Sequence, residues 1–571
     1  MKLTNIEINN FRGIKHASIQ FPCGSRIICL IGSGDSCKST ILKAIEWVLW
    51  PSWSLISTDT DFYNCNPNNS IVIEASITEV PDDLMKENKF GLYLRDYEKS
   101  FTDGDDEPTE DGITILTIRL TIDSTLEPKW EVITNRTEPK IISQRDRRLL
   151  SFGTVGFEQD KDFQWGRGSI LQKYADSKDA LHNAFTQAMR NAVANTSLVE
   201  LDKVAETMIE IGGRYGVSFN GDIQNHILMQ NGSYSTTVGV FDDKVPFAQR
   251  GLGSKRLLSI GMNVNAYKDG TLVLVDEVET GLEPYRIIAL INEFRKQFKN
   301  LGQLIMTTHS RSAVCECSAD ELCVVNTVAG ETTIQPLDAV TEIKEDIQAI
   351  IRREPDALLC KRIVVCEGKT EIGLLRAFDD YLTEKSGTRF AHFGVGTALG
   401  GGGDQFFTLA KFLKKCGYDV CILMDSDVEN QEEEKNKVEA LGIPVFSWDK
   451  GFAIEEQIFH DFSIETIETL IMFATEEKSF DHVIAKMNNR FCDDEKIHYI
   501  SEGGIRIKDN ATKDQLTALG KLAKDNNWFK RIDRGQRVGE IIFADFDKLE
   551  DRGFKTTINA LKTWVTANET R

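Results

Sequence analysis

The sequence predicts an α/β chain made of two successive strand–helix series. Three observations carry this. An apolar strand at Arg26–Ile31 runs into a glycine-rich turn and an apolar-periodic helix from Ser39 to about Leu49. Strand–helix alternation returns at Thr271–Val275 and Gln303–Thr307, and a second series starts at Arg362. At roughly 150 residues per domain, a chain of 571 residues implies two to four domains.

Hydrophobic residues make up 41% of the chain and charged residues 27%, enough apolar material for sizeable cores. Sixty-seven Lys and Arg against 88 Asp and Glu leave a net charge of −21. That balance excludes a generic basic nucleic-acid coat, leaves room for a local basic channel, and supplies the carboxylates of a hard metal site. No apolar run approaches the roughly 18 residues that span a bilayer, so no membrane contact is expected. The start, MKLTNIEINNF, lacks the apolar centre of a secretion signal. The 12 scattered cysteines, with no CxxC pair, read as reduced and buried, which points to a cytoplasmic location.

The elements follow in order. Ile6 and Ile8 alternate with polar neighbours, Phe11-Arg12-Gly13 turns, and Ala17, Ile19 and Phe21 alternate again, giving a strand–turn–strand opening. Residues 71–79 and 113–123 alternate as strands around the acidic segment Thr102–Gly112, which lacks calcium-loop spacing and reads as a solvated hairpin loop. A helical pattern at about 160–217, with Leu171, Tyr174 and Leu181, reads as an insertion that could serve dimerisation. The expected division is therefore residues 1–345, a helical connector at 346–360, and a second domain at 361–571 with helical additions. There is no internal repeat and no long heptad run.

Gly32-Ser33-Gly34-Asp35-Ser36-Cys37-Lys38-Ser39-Thr40 lies between a strand and a helix, where free backbone N–H groups and a helix N-terminus can face phosphate oxygens. Lys38 would reach the terminal phosphates and Ser39 would bind Mg²⁺. Cys37 replaces the usual glycine before the lysine, and Asp35 puts a carboxylate near the anion, so hydrolysis is less expected than ATP binding. Downstream, an apolar strand ends in Asp276-Glu277, suited to the Mg²⁺ shell and to orienting a water, and His309 ends the strand Gln303–Thr307 in reach of a γ-phosphate. Arg250-Gly-Leu-Gly-Ser254-Lys-Arg256 precedes an apolar helix and could present a second anion-binding N-terminus.

In the second series, the strand Arg362–Cys366 is followed by Glu367-Gly-Lys-Thr-Glu371, and the strand Asp419–Met424 ends in Asp425-Ser-Asp427. Acids leaving two neighbouring strand ends can converge on one or two Mg²⁺ or Mn²⁺ ions.

The first set of motifs, in this order, resembles the ABC-type ATPase heads of the SMC and Rad50 superfamily. That resemblance implies a homodimer around two ATP molecules, with Ser254 serving the partner's nucleotide. The second set resembles the Toprim domain. The joined pair, with a carboxylate at Glu371, resembles OLD (overcoming lysogenization defect) nucleases, including the Gabija nuclease and retron-associated members. The resemblance implies Glu455 as a further metal ligand, with Glu456 its rival, and Lys530 as the cation that neutralises the transition state. Asp404 and Glu429 are weaker ligand candidates. It also implies a metal-dependent DNA endonuclease of anti-phage defence. The ATPase domain would control cleavage, in a dimer or tetramer, with a retron reverse transcriptase or a Gabija-type helicase as a possible partner. The alternative is a non-catalytic DNA-binding ATPase with a structural or regulatory Toprim domain.

Overall fold

The structure is a computed structural model. It describes residues 1–22, 24–52, 54–101, 105–150, 152–155, 163, 171, 174, 199–219, 221–228, 237–267, 269–299, 302–339, 347–428, 431–491, 496–501 and 504–567. The chain divides into two compact units, Met1–Ala339 and Val340–Arg571.

The first unit is built on one large mixed sheet. Its antiparallel wing starts from Lys2–Phe11, where alternating Ile6 and Ile8 face the core, flanked by Ile14–Gln20 and Ile71–Thr78. The strand Thr114–Ile122 continues the wing beyond Ile71–Thr78. The other half is parallel: Leu322–Val328, Ile27–Ile31, Gln303–Thr307, Leu272–Val275 and Phe152–Val155 lie in that spatial order. Ile27–Ile31 is buried along its whole length, as a strand covered on both faces must be. The helix Lys38–Val48 follows it and packs Ile41, Ile45 and Val48 into the core.

One expectation needs amending. The acidic segment is not a plain solvated loop. Asp106 is fully buried, bonded to Arg95 Nε at 2.5 Å and Arg136 Nε at 2.8 Å, with the Thr134 hydroxyl and the Asn135 amide completing its shell. Two guanidiniums compensate what burial of one carboxylate costs. Of the insertion at about 160–217, most lies outside the described residues; the helix Val199–Arg214 is described, followed by an antiparallel pair, Ile223–Leu228 with Thr237–Asp242.

The second unit holds a four-stranded, wholly parallel sheet in the order Val395–Leu399, Arg362–Cys366, Asp419–Met424, Val445–Ser447. Its helices share one apolar core. The helices Lys369–Ser386 and Ile532–Phe543 cross closely because Gly535 has no side chain; a Cβ there would stand 2.5 Å from the Thr370 carbonyl oxygen. Among the described residues, no helix is long and apolar enough to cross a membrane.

Candidate functional site

In the first unit, three adjacent parallel strands end at one edge, the place where open α/β sheets bind ligands. Ile27–Ile31 delivers the loop, Gln303–Thr307 delivers His309, and Leu272–Val275 delivers Asp276 and Glu277. Gly32 has φ 134°, and a Cβ there would stand 2.5 Å from the Val325 carbonyl oxygen. Gly34 is open, with nothing within 4 Å of such an atom. Lys38 folds back over the loop. Its Nζ donates to the Gly32 and Ser33 carbonyls at 3.1 and 2.7 Å and to Ser36 Oγ at 3.0 Å. Burial lowers this ammonium to about 8, because neutral oxygens replace water only in part; a bound phosphate would reverse the shift.

Ser39 Oγ donates to Asp276 Oδ1 at 3.0 Å, and Thr307 Oγ1 donates to the same oxygen at 2.6 Å. The Thr307 hydroxyl also accepts the Glu277 amide at 2.8 Å, fixing Glu277 at φ 43°. Thr40 lies in the first turn of the helix that Lys38 begins. His309 is exposed, and Glu279 holds its backbone amide at 2.6 Å while accepting Thr308 Oγ1, also at 2.6 Å. What burial the His309 ring has, and then the Lys38 charge, lower its pKa. Ser254 lies in the first turn of the helix Leu252–Ala266, and Arg256 of that turn donates to the Asp276 carbonyl at 2.9 Å.

In the second unit, Glu367 and Asp425 leave the ends of adjacent strands, and the Asp425 amide donates to Glu367 Oε2 at 3.0 Å. Glu371 is buried in the first turn of the helix Lys369–Ser386. Glu455 and Glu456 open the helix Ile454–Asp461, and their roles separate cleanly. Glu456 Oε2 accepts the Ala453 amide at 2.9 Å, capping its own helix, while Glu455 Oε1 is buried with no hydrogen-bond partner. Burial, and then neighbouring carboxylates, hold Glu367, Glu371, Asp425 and Glu455 above the usual carboxylate range. Glu371 is pushed to about 8, with Glu455 and Glu367 adding to the desolvation. Asp425 is raised by burial and by Glu371, Glu455 and Glu367. Glu367 and Glu455 are raised by burial, against the pull of Lys524 and Lys530.

Asp427 forms an ion pair with Lys524 of the helix Lys513–Asp525. That helix reaches the site because Gly520 lies against it; a Cβ there would stand 2.6 Å from the Glu455 carbonyl oxygen. Lys530 is exposed. Among the described residues, no three His, Cys, Asp or Glu side chains converge closely enough to hold an ion as they stand. The donor set itself, all carboxylate oxygen with one buried oxygen unpartnered at Glu455, fits a hard divalent cation. Asp404 precedes the helix Gln405–Lys415 without capping it by its side chain, and Glu429 lies outside the described residues.

Two family models match the chain. Residues 27–316 match the family described as "AAA domain, putative AbiEii toxin, Type IV TA system". Residues 358–427 match "Overcoming lysogenization defect protein-like, TOPRIM domain", a stretch that includes Glu367, Glu371, Asp425 and Asp427. The chain belongs to the OLD family of ATPase–Toprim proteins. No curated protein matches it. Three solved structures are similar to this OLD-family chain. One is an SmcHead bound to the C-winged helix domain of ScpA, with 13% identity over 59% of this chain and 97% of that chain, at a TM-score of 0.37. Another is an SMC head domain from Thermotoga maritima, with 15% identity over 59% of this chain and 99% of that one, at 0.31. The third is an Smc head domain with an extended coiled coil, bound to the C-terminal domain of ScpA derived from Pyrococcus furiosus. It has 14% identity over 60% of this chain and 98% of that one, at 0.36.

In this OLD-family chain, sequence reasoning missed Thr307, Glu279, Lys524 and Trp448. Thr307 and Glu279 lie within three residues of the acids and histidine that were singled out, and that closeness was a usable signal. Lys524 and Trp448 carried none, since each is defined by a partner far away in sequence.

Cys37 differs from expectation. It does sit in the left-handed region, at φ 65°, where the motif's glycine would be. Its Sγ, however, packs toward Gly13, 2.9 Å from where a Cβ would be at that glycine, and Thr327 and Thr332 also reach it. The thiol is therefore held among the strands beside the loop. Cys37→Gly should relieve left-handed strain of about 1 kcal/mol and lose a similar amount of packing. The expected outcome is unchanged ATP binding, with hydrolysis unchanged or raised, read by equilibrium binding and phosphate release.

The raised acids also set a pH dependence. A carboxyl group whose folded pKa lies above its unfolded value contributes stability fully present below the unfolded value and lost as pH rises through the folded one. For Glu371 that window runs from its ordinary 4.5 to about 8. Without divalent ions, the melting temperature should fall between about pH 5 and pH 8 more steeply than in Glu371→Gln. Equal slopes in the two proteins would contradict the crowding described here.

Proposed function

We propose that this protein is an ATP-controlled, divalent-metal-dependent DNA endonuclease. The observation that carries the reading is the gathering of four acids around two adjacent strand ends, Glu371 and Glu455 buried and Glu367 and Asp425 half-buried, with their pKa values raised together. Four acids crowded at such a cost are explained by a bound cation, and perturbed groups of this kind concentrate at functional sites. Glu367, Glu371, Asp425 and Glu455, joined by Asp427 once it leaves Lys524, would hold Mg²⁺ or Mn²⁺. When bound, such ions supply an activated water and charge stabilisation for the departing 3′ oxygen of a phosphodiester.

Lys530 is the cation proposed to meet the charge developing on the phosphoryl group, and Lys524 is its rival. Lys530→Ala should cut single-turnover cleavage about a hundredfold, a loss of roughly 3 kcal/mol, while leaving Mn²⁺ affinity unchanged. If Lys524→Ala gives that pattern and Lys530→Ala does not, the role belongs to Lys524.

In the first unit, Lys38 and the loop amides would hold the phosphates of ATP. Ser39 and Asp276 would share its Mg²⁺, Glu277 would orient a water, and His309 would contact the γ-phosphate. Ser254 would complete the nucleotide site of a second copy, making the protein a dimer or a larger homo-oligomer. The names of both matched families, a lysogenization-defect protein and a toxin of a toxin–antitoxin system, support placing the activity in anti-phage defence. The test is nicking of supercoiled plasmid by the purified protein with Mg²⁺ or Mn²⁺ against a chelator control. Metal-dependent nicks are expected; a pure protein that binds ATP and leaves plasmid intact with either ion would overturn the reading.

A further inference from the structure

Asp425 is held by two donors on one oxygen. Its Oδ1 accepts the Trp448 indole N–H at 3.0 Å and the Ile454 amide at 2.9 Å. Trp448 is tied to the same turn a second time, since its carbonyl accepts the Ser426 hydroxyl at 2.9 Å. The indole is almost wholly buried and lies flat on the Phe554 ring, with centroids 5.3 Å apart and planes 8° from parallel. Phe554 opens the last helix, Phe554–Thr566, and its ring also meets Phe462, Phe543 and Phe546. Two chain-distant elements therefore lock one oxygen of one carboxylate.

We infer that Trp448 is a positioning residue for metal binding: its indole N–H, held by the stack on Phe554, occupies Asp425 Oδ1 and keeps Oδ2 as the oxygen offered to a cation. A carboxylate free to rotate presents either oxygen and must be ordered when the ion binds; one whose orientation is set beforehand does not incur that cost. The C-terminal helix, which contributes no metal ligand, acts on the site through this contact.

This inference rests on the proposed metal-dependent function, and the experiment keeps the two apart. Mn²⁺ binding to the full-length, ATP-free protein is measured by calorimetry, beside plasmid cleavage across a Mn²⁺ titration. Trp448→Phe retains a ring on Phe554 but removes the N–H. It should weaken Mn²⁺ binding roughly tenfold and shift the metal dependence of cleavage by the same factor, with saturating Mn²⁺ restoring the rate. Phe554→Leu leaves the N–H but removes the stack, and should weaken binding in the same direction by a smaller factor. Wild-type Mn²⁺ affinity in whichever of these variants folds overturns the positioning role. Absence of Mn²⁺ binding by the wild-type protein overturns the proposed function instead.

Discussion

Glu367→Ala is expected to lose metal-dependent DNA cleavage by about a thousandfold while remaining folded. Its half-buried carboxylate accepts the Asp425 amide at 3.0 Å, and burial and the Asp427 charge raise its pKa. Removing it relieves repulsion but leaves the Asp425 amide without its acceptor, so the metal-free protein should melt close to wild type. Asp425→Ala should lose cleavage equally, for the same loss of an oxygen ligand, but its stability should respond differently. It strands two donors, Trp448 Nε1 and the Ile454 amide, which costs about 1–3 kcal/mol. Asp425→Asn keeps an acceptor for both and should restore the stability without restoring the activity. Single-turnover plasmid cleavage and thermal melting read the two effects independently. A folded Glu367→Ala protein that nicks at the wild-type rate would refute the assignment.

The second large effect is at Lys38. Its ammonium is held over the loop by three neutral oxygens, Gly32 O, Ser33 O and Ser36 Oγ, and burial has already lowered its pKa to about 8. A triphosphate would replace that poor shell with negative charge, so most of the interaction is available only to the ligand. Lys38→Ala should weaken ATP binding by at least about a hundredfold, or roughly 3 kcal/mol, given that charge-assisted bonds to phosphate are the strong ones. Equilibrium binding with a fluorescent ATP analogue checks it. An unchanged dissociation constant would mean that the loop is only a strand–helix connection.

The features legible in the sequence were those fixed by local pattern. Glu367 and Asp425 were found because each follows a strand that is apolar after its first residue, and a parallel sheet buried on both faces writes itself as such a run. Lys38, Ser39 and Asp276 were found for the same reason, and the structure brings Ser39 and Asp276 into direct contact. What stayed hidden depended on helix register or on distant partners. Glu455 and Glu456 are adjacent, and only the turn of the helix decides that Glu456 caps the Ala453 amide while Glu455 is buried with its Oε1 unpartnered. Lys524 reaches Asp427 only because Gly520 lets two helices touch. Asp106 read as one acid among many until Arg95 and Arg136 enclosed it.

The central claim is that the crowded acids of the second unit form a divalent-metal site. Mn²⁺ titration of the full-length, ATP-free protein by calorimetry, repeated on Glu371→Gln and Glu455→Gln, tests it most directly. The account predicts saturable binding by the wild-type protein that is lost or weakened at least tenfold in both variants. Binding of equal strength in all three proteins, or none in the folded wild type, would contradict it.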